Sequence, residues 1–591
     1  MAKTTRIFGV NHTFARKHMR DMRRIAMWLL MISVCGSAAA QTEEEINVVA
    51  RTLGVMNAED ADHEEFEDMI YLLRHPLDIN RASRSELESV RLFSQFQIAS
   101  LLDYRERHGC IMSMTELSSV DGFGSQKVQS LKPFIVLEPV MTERTGERLR
   151  GELNGRTSLK MIESNSPVLH YSIRGKLSCY EKMSINMSVS WEYDSPRWSP
   201  SSYSAALIWT HRYGKVLVGD FNARFGQGLC MWNSSFLSVK SSPSSYMRRA
   251  TGISPSYSYN SSYPIRGIAA DFRLKRWKLS CFAYSPDLKD IDISWNSMII
   301  CPAANITRYF RFGHMGITHY AHFSDLAGGD FRIPQMKSSY DFSVCVDGVN
   351  LFGETMYDWV LKKPAALAGM ETSFGEYFTF ASMARFLPLS DEHGASVSGE
   401  VLKNGHDALL YADVVYHPQG RSGAEAVQVK TQGKWEWHIN DVFCTELRIS
   451  ERIRTWERTV KTDVRTDLNV DSGDWEYSCR FNISKSKGIG LLGYAEVSYV
   501  FDDLVRLYLR QGFFGIDNWD DRIYVYERDA PGNFNVPAFY GRGLWSSVYV
   551  SWKFARCGSL YVRASYTSYP FMRQNKKPGK AELKLQFLLH L

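Results

Sequence analysis

The segment from 122 to 127, which reads GFGSQK, has the residue types of a phosphate-binding turn. Two glycines allow a tight turn whose backbone N–H groups point outward, and the residues after them open a helix with its positive end toward the same point. The phosphate of double-stranded DNA could bind there without any contact to a base. The candidate phosphate-binding residues are Gly122, Phe123, Gly124, Ser125 and Lys127.

The charge around this turn argues against strong DNA binding. From Leu77 to Glu138 there are seven basic and eight acidic residues, whereas non-specific affinity for DNA comes largely from the neutralisation of phosphates by cations. A related segment earlier in the chain, Leu92, Phe93 and Ser94, has no glycine that would let a phosphate approach. Two hypotheses therefore stay open: this part of the chain binds DNA, or it packs on a protein partner or in the mouth of a barrel.

Other chemistry is not indicated by the sequence. The spacing of Gly488, Gly490 and Gly493 matches a dinucleotide-binding pattern, but a strand-like run follows where a helix is required, which indicates a hairpin turn. There is no H-E-x-x-H, no G-x-S-x-G and no cluster of His, Cys and Asp at metal-ligand spacing. We therefore predict no catalytic residue, no bound metal and no cofactor, in a protein that is not an enzyme.

The phosphate-binding candidates belong to a segment with helical periodicity, in which apolar residues recur three or four positions apart until Pro133 ends the pattern. It contains the stretches LDINRASRSELESV and IASLLDYRERHGCIMSMTELSSVDGFGSQKVQSLKPFI. These resemble the tandem helix-hairpin-helix domain of competence-type DNA receptors. The resemblance implies a small all-α domain over residues 77–138. An acidic, helix-prone segment at 41–76 is expected to dock on it.

Beyond a charged linker at 139–150, the hydrophobic pattern changes to a period of two. Ile185, Met187 and Val189 alternate with polar residues, and the last strand alternates in the same way from Leu583 onward. At roughly ten residues per membrane-crossing strand plus connections, residues 151–591 would hold about 14 to 18 strands. The fold class that we predict is mainly β, a transmembrane-type antiparallel β-barrel. A soluble propeller or large sandwich is the alternative.

The N-terminal residues 1–40 have the three parts of a secretory signal. Basic residues extend to Arg24, an apolar stretch runs from Ile25 to Val34, and small residues lead to Ala40. We expect export and signal peptide cleavage near Ala40. A mean hydropathy of −0.27, without a second long apolar run, excludes a helical multi-span membrane protein. Nine cysteines follow the cleavage site, and this odd number would leave at least one free thiol.

The β-rich region contains the stretches GKVLVGDFNARFGQGLCMW, YPIRGIAADF and DDRIYVYERDAPGNF. They resemble the C-terminal part of a family of exported Gram-negative proteins that join a helix-hairpin-helix domain to a long β-rich segment. The resemblance implies an architecture and no particular activity. We expect a non-enzymatic barrel in the lipid of the outer membrane, whose periplasmic helical domain recruits or gates cargo, with DNA uptake as the specific version. The alternative is a scaffold whose barrel anchors a helical domain that binds periplasmic proteins.

Overall fold

The computed structural model describes residues 43–590, apart from short gaps. These gaps are 57, 62, 75, 83, 91, 94, 138–148, 164–165, 180–181, 194–199, 212, 234–240, 257–263, 287–298, 311, 325–331, 347, 376, 422–423, 502–503, 556 and 573–576. The predicted signal peptide and most of the predicted linker lie outside the described residues.

Within those residues, the N-terminal part forms six α-helices, which we call the helical domain (residues 43–137). The helices are α1 (Glu43–Leu53), α2 (His63–Arg74), α3 (Arg84–Ser89), α4 (Gln95–His108), α5 (Met114–Ser118) and α6 (Ser125–Leu131). Two short strands, β1 (Leu77–Asp78) and β2 (Ile135–Val136), pair in parallel and bring the two ends of the hairpin region together. No helix among the described residues is long and apolar enough to cross a membrane.

Local hydrogen bonds close the helical domain around a single apolar core, which includes helix residues from α1 to α6. The side-chain amide of Asn80 donates to the carbonyl of Ile111 and accepts from the N–H of Ile111, each at 2.8 Å. These two hydrogen bonds join the first hairpin to the start of the second. The N-cap of α5 is Ser113, whose hydroxyl accepts the N–H of Glu116. The Met112 N–H and the Tyr104 hydroxyl donate to the Glu116 carboxylate, and these bonds lower its pKa below the ordinary value.

The C-terminal part is a closed antiparallel β-barrel of 24 strands. The last strand pairs with the first along its whole length, from His590 with Glu152 to Lys580 with Ile162, so the wall has no free edge. This confirms the mainly β fold. The wall strands are β3 (Leu149–Ile162), β4 (Val168–Cys179), β5 (Met183–Glu192), β6 (Ser202–His211), β7 (Gly214–Arg224), β9 (Ile265–Leu274), β10 (Trp277–Tyr284), β11 (Cys301–Phe310), β12 (Gly313–Ser324), β13 (Arg332–Val346), β14 (Val349–Asp358), β15 (Lys363–Phe374), β16 (Phe378–Leu387), β17 (Glu392–Lys403), β18 (His406–Arg421), β19 (Ala424–His438), β20 (Phe443–Arg454), β21 (Thr459–Ser472), β22 (Trp475–Lys485), β23 (Ile489–Phe501), β24 (Val505–Ile516), β27 (Gly541–Ala555), β28 (Gly558–Ser568) and β29 (Lys580–His590).

Three shorter strands lie outside this ring. β8 (Gly252–Pro255) pairs with the end of β7, which itself pairs with β9. β25 (Ile523–Tyr524) and β26 (Ala538–Phe539) form a two-stranded pair within one connection of the barrel. The turn between β22 and β23 contains Gly488, and β23 itself contains Gly490 and Gly493.

The expected number of 14 to 18 strands is wrong, because most connections are shorter than that estimate assumed. At the end where β3 begins and β29 finishes, which we call the short-turn end, the connections have only two to four residues. The opposite, long-loop end carries the extended connections 225–264 and 517–540. The same length of chain therefore forms more strands and a wider barrel.

The alternating pattern places apolar side chains outside the barrel and polar side chains inside. Ile185 and Met187 are exposed, whereas Asn186 and Ser188 between and beside them are buried. In β18 every second residue from 407 to 417 is buried, and Leu410 between them is 71% exposed. The outer face is thus a continuous apolar surface, which a soluble sandwich or propeller would have to bury.

Aromatic side chains mark both ends of this outer surface. At the short-turn end, Trp435 and Trp437 are exposed and stack with ring centroids 6.0 Å apart. At the long-loop end, Tyr357 and Trp359 are exposed and meet edge to face at 5.0 Å. An apolar band between two rings of aromatic residues is the surface that a bilayer requires of a barrel.

Candidate functional site

The helical domain lies against the inner face of the barrel, and its first helix is joined to two strands by ion pairs. Arg51 in the last turn of α1 pairs with Asp407 of β18, and its Nε is 3.6 Å from a carboxylate oxygen of Glu400 of β17. Both carboxylates are buried on the inward face. The amphipathic α1 therefore buries Val49 and Leu53 in its own domain while Arg51 reaches the wall.

A buried carboxylate of the helical domain, Glu59, is held by two arginines of the wall. Its oxygens accept hydrogen bonds from Arg480 of β22 at 2.8 Å, from Arg465 of β21 at 3.2 Å and from the N–H of Tyr526 at 3.0 Å. Both arginines also bind Asp467, each at 2.5 Å. Burial alone would raise the pKa of Glu59, but Arg465 and the Tyr526 N–H outweigh burial and hold that pKa below its ordinary value.

A third set of polar contacts joins the helical domain to the connection 225–264 and the end of β7. Glu65 lies 3.5 Å from the guanidinium of Arg224, whose side chain is almost fully buried. The carbonyl of Gly54 accepts the N–H groups of Ser241 and Ser242 at 2.8 and 3.1 Å. The buried carbonyl of Gly54 is thereby hydrogen-bonded across the contact, and the buried charge of Arg224 lies opposite an acidic side chain.

One apolar contact continues the core of the helical domain into the connection 517–540. The ring of Phe66 in α2 lies 5.3 Å from the rings of both Tyr526 and Phe534, measured between centroids. Phe66 itself is fully buried. Residues of this barrel connection therefore complete the core of the helical domain.

The two long connections fold into the lumen and are fixed to its wall. In 517–540, Asp529 accepts from Lys584 at 2.6 Å and Arg528 donates to Glu496 at 2.7 Å. In 225–264, the carboxylate of Glu354 accepts the backbone N–H groups of residues 227, 229 and 230. Among the described residues, the helical domain thus packs between parts of these connections and the wall, inside the lumen.

The predicted phosphate-binding residues form one exposed turn of the helical domain. Gly122 and Gly124 both have positive φ angles, 87° and 62°, and both are exposed. A Cβ at Gly122 would come within 2.7 Å of the Phe96 ring, whereas one at Gly124 would meet nothing within 4 Å. Gly124 is the N-cap of α6, with no side-chain cap hydrogen bond. Ser125 is the first residue of α6, and Lys127 interacts electrostatically with Glu371 of β15.

Part of this turn is already used within the domain. The side chain of Phe123 is buried and packs 5.9 Å from the ring of Phe93 in the first hairpin. The N–H of Phe123 donates to the carbonyl of Val120 at 3.0 Å, and the N–H of Gly124 donates to the carbonyl of Ser118 at 3.2 Å. A phosphate at this turn would therefore depend on the start of α6 and on Lys127, and phosphate binding stays a prediction.

No local pattern in the sequence indicates the residues that join the helical domain to the wall. The sequence predicts a periplasmic domain that binds DNA, packs on a protein partner or lies in the mouth of the barrel, and in the structure the domain contacts the inner wall. Glu59 and Arg480 are 421 positions apart, and no local spacing connects them. The one indication was the alternation itself, since charged residues on the inward face of a strand require partners in the lumen.

Comparisons with known proteins give one family match, and it covers part of the helical domain. A family model described as a helix-hairpin-helix motif matches residues 74–136. No curated protein sequence matches the chain.

Several solved structures are similar to this chain. The siderophore receptor PirA from Pseudomonas aeruginosa matches with 9% identity and a TM-score of 0.39, covering 76% of this chain and 82% of that chain. The copper transporter OprC matches with 8% identity and a TM-score of 0.39, covering 77% and 82%. The translocation pore of the P pilus usher PapC matches with 9% identity and a TM-score of 0.35, covering 75% and 99%. The assignment of the barrel follows from its own strand pairing.

Proposed function

We propose that this protein is a gated, non-enzymatic barrel of the outer membrane in which the helical domain is the plug that closes the lumen. The observation that carries the proposal is the set of ion pairs between the helical domain and the inner wall, formed by Arg51, Glu59 and Glu65. These contacts reach separate parts of the wall, so they hold the domain across the lumen.

The outer surface supports the membrane placement. An even number of antiparallel strands, an apolar band and aromatic residues at both ends are the features of bacterial outer-membrane barrels. In such barrels the short turns face the periplasm and the long loops face outward. The short-turn end, from which the helical domain enters at residue 149, would then be the periplasmic mouth.

The contact between the helical domain and the barrel is partly polar and partly apolar. Beside the ion pairs and hydrogen bonds, the apolar part includes the aromatic group around Phe66, Met56 packed with wall residues such as Tyr411, and Phe96 packed with Tyr309. Water can replace polar contacts when the domain shifts, whereas a large apolar interface would stay closed. Cargo would pass when a periplasmic partner or the cargo itself displaces the helical domain.

Conductance in planar lipid bilayers tests this function. The double variant Arg51→Gln and Glu59→Gln removes two plug charges, so that Asp407 keeps Lys434 as a partner while Arg465 and Arg480 keep Asp467. Loss of the buried Glu59 pairs should cost about 3 kcal/mol. We expect the open probability of the variant to rise at least about tenfold over wild type. The control Arg107→Gln removes an exposed charge that pairs with Asp103 of the same helix, α4.

Heat-dependent migration on a gel first shows that the barrel of each variant is folded. Wild type and the Arg107→Gln variant should stay closed. A double variant as closed as wild type would contradict the gate and leave the barrel as a membrane anchor for the helical domain. Wild type with a steady open pore would contradict the plug itself.

DNA binding is a second candidate, which the family match at 74–136 and the exposed turn at Gly122 and Gly124 favour. The full chain in detergent would be titrated with labelled double-stranded DNA at low and near-physiological salt. Binding at low salt that weakens in the Lys127→Gln variant, and not in the control Lys132→Gln, would support it. Absence of binding even at low salt would leave the helical domain as a plug and a protein-binding module.

A further inference from the structure

Three side chains with metal-binding atoms meet at the short-turn end, where β19 ends and β20 begins. They are Glu436, His438 and Cys444, and their ligand atoms all lie within 4.8 Å of one another. The Nε2 atom of His438 is 3.0 Å from Oε1 of Glu436, and the Sγ atom of Cys444 is 3.8 Å from the same oxygen. One carboxylate oxygen thus faces both the imidazole and the thiol.

Strand pairing creates this cluster. His438 pairs directly with Cys444, and Glu436 pairs with Glu446, so all of them lie on the same side of the hairpin. That side is the lumen, because Glu436 and Glu446 are buried while the alternating residue Trp437 is exposed outside. The backbone register therefore fixes the three ligands at the rim of the short-turn mouth.

The ligand types point to a borderline-soft divalent cation. A thiolate, an imidazole and a carboxylate are the ligands of Zn²⁺, with bonds of about 2.0–2.3 Å in a tetrahedron. Such a tetrahedron places its ligand atoms about 3.2–3.8 Å apart. His438 is half exposed at the rim, so its ring can rotate the small distance that the present spacing requires.

The charges around the cluster are compatible with a cation. Lys434 binds the other oxygen of Glu436 at 2.7 Å and would oppose a metal, but it also lies 3.3 Å from Glu446 and 4.0 Å from Asp407. The surrounding carboxylates equal the surrounding cations in number, and the carboxylate of the ligand Glu436 adds a further negative charge. The surrounding carboxylates are Glu400, Asp407 and Glu446, and the cations are Arg51, Lys434 and Arg448.

We infer that Glu436, His438 and Cys444 form a Zn²⁺ site at the short-turn mouth, with a water or a solute as the fourth ligand. Binding replaces the thiol proton of Cys444 by the metal and releases that proton to solvent. The site lies next to Lys434 and Asp407, and Asp407 is the partner of the helical domain's Arg51. The inference is independent of whether the helical domain moves.

Cobalt binding to the full chain in detergent tests the site, because a thiolate bound to Co²⁺ has a charge-transfer absorption that a hydroxyl lacks. Wild type should show this absorption with one equivalent of Co²⁺, and one equivalent of Zn²⁺ should abolish it. The Cys444→Ser variant should lose the absorption. The control Cys479→Ser, which removes an exposed thiol of β22, should keep it.

A second variant separates the imidazole from general thiol binding. His438→Ala should weaken Zn²⁺ binding at least about tenfold, since one of three protein ligands is lost. All variants are compared after heat-dependent gel migration has shown that the barrel is folded. No absorption in wild type, or the same absorption in Cys444→Ser as in Cys479→Ser, would overturn the inference.

Discussion

Among individual residues, Glu59 is the clearest link between the helical domain and the barrel wall. This carboxylate is buried and accepts hydrogen bonds from two wall arginines and one backbone N–H. A buried carboxylate is costly unless it is paired, and breaking a buried pair leaves the partner charge uncompensated. Glu59 therefore both positions the helical domain and neutralises charge on the wall.

The variant Glu59→Gln should loosen the helical domain from the wall by about 3 kcal/mol, because Arg465 and Arg480 lose one of their anionic partners and keep Asp467. Hydrogen exchange of α1 and α2 measures this change. The control Glu106→Gln alters an exposed carboxylate of α4 and should leave exchange as in wild type. Equal protection in both variants would show that Glu59 does not hold the domain.

The docking of the helical domain should also depend on pH through Glu59. Its pKa in the folded protein is lowered from the ordinary 4.5, so its stabilising contribution is fully present above pH 4.5. That contribution is lost as the pH falls through the lowered pKa. Protease accessibility of the helical domain should increase in this acidic range for wild type and change less in Glu59→Gln. An identical pH profile for the two proteins would rule out this carboxylate as the cause.

The two glycines of the exposed turn should differ in their tolerance of a side chain. Gly122→Ala combines a positive φ with a contact of 2.7 Å to Phe96, and we expect it to destabilise the helical domain by about 1–3 kcal/mol. Gly124→Ala has the positive φ alone and should cost about 1 kcal/mol. Hydrogen exchange in α6 gives both values, and the reverse order would be inconsistent with the structure.

At the scale of elements, the connection 517–540 completes the core of the helical domain. Replacing both Tyr526 and Phe534 by Ala removes the aromatic cover of Phe66, and each truncation should cost about 3–5 kcal/mol. We expect α2 to lose protection from hydrogen exchange. The control Tyr524→Ala, in the same connection but 45% exposed, should not change it. Unaltered protection in the double variant would mean that the connection does not support α2.

The sequence predicted some elements well because their signals are local. The alternation of apolar and polar residues around Ile185 and Met187 predicts a strand directly, and the glycines of the hairpins predict turns. Strand number was underestimated, since turn lengths such as the two residues between Lys403 and His406 are not encoded in the alternation. The cluster of Glu436, His438 and Cys444 has no local signal in the sequence either, because His438 and Cys444 become neighbours only through the register of two strands.

At the scale of the whole molecule, a barrel of 24 strands encloses a lumen that side chains of the wall alone cannot fill. Two inward-folded connections and the helical domain occupy it. The individual contacts of that domain could not be predicted from the sequence, since they join residues hundreds of positions apart. A position in the mouth of the barrel was one of the alternatives that the sequence left open.

The most direct test of the central claim is the conductance of the chain without residues 43–137, measured in planar lipid bilayers beside the full chain. The wall closes through β29 and β3 without these residues, so the shortened chain retains every strand of the ring. We expect a large, steady conductance from the shortened barrel and a closed state from the full chain. Equal conductance of the two chains would contradict the assignment of the helical domain as the plug.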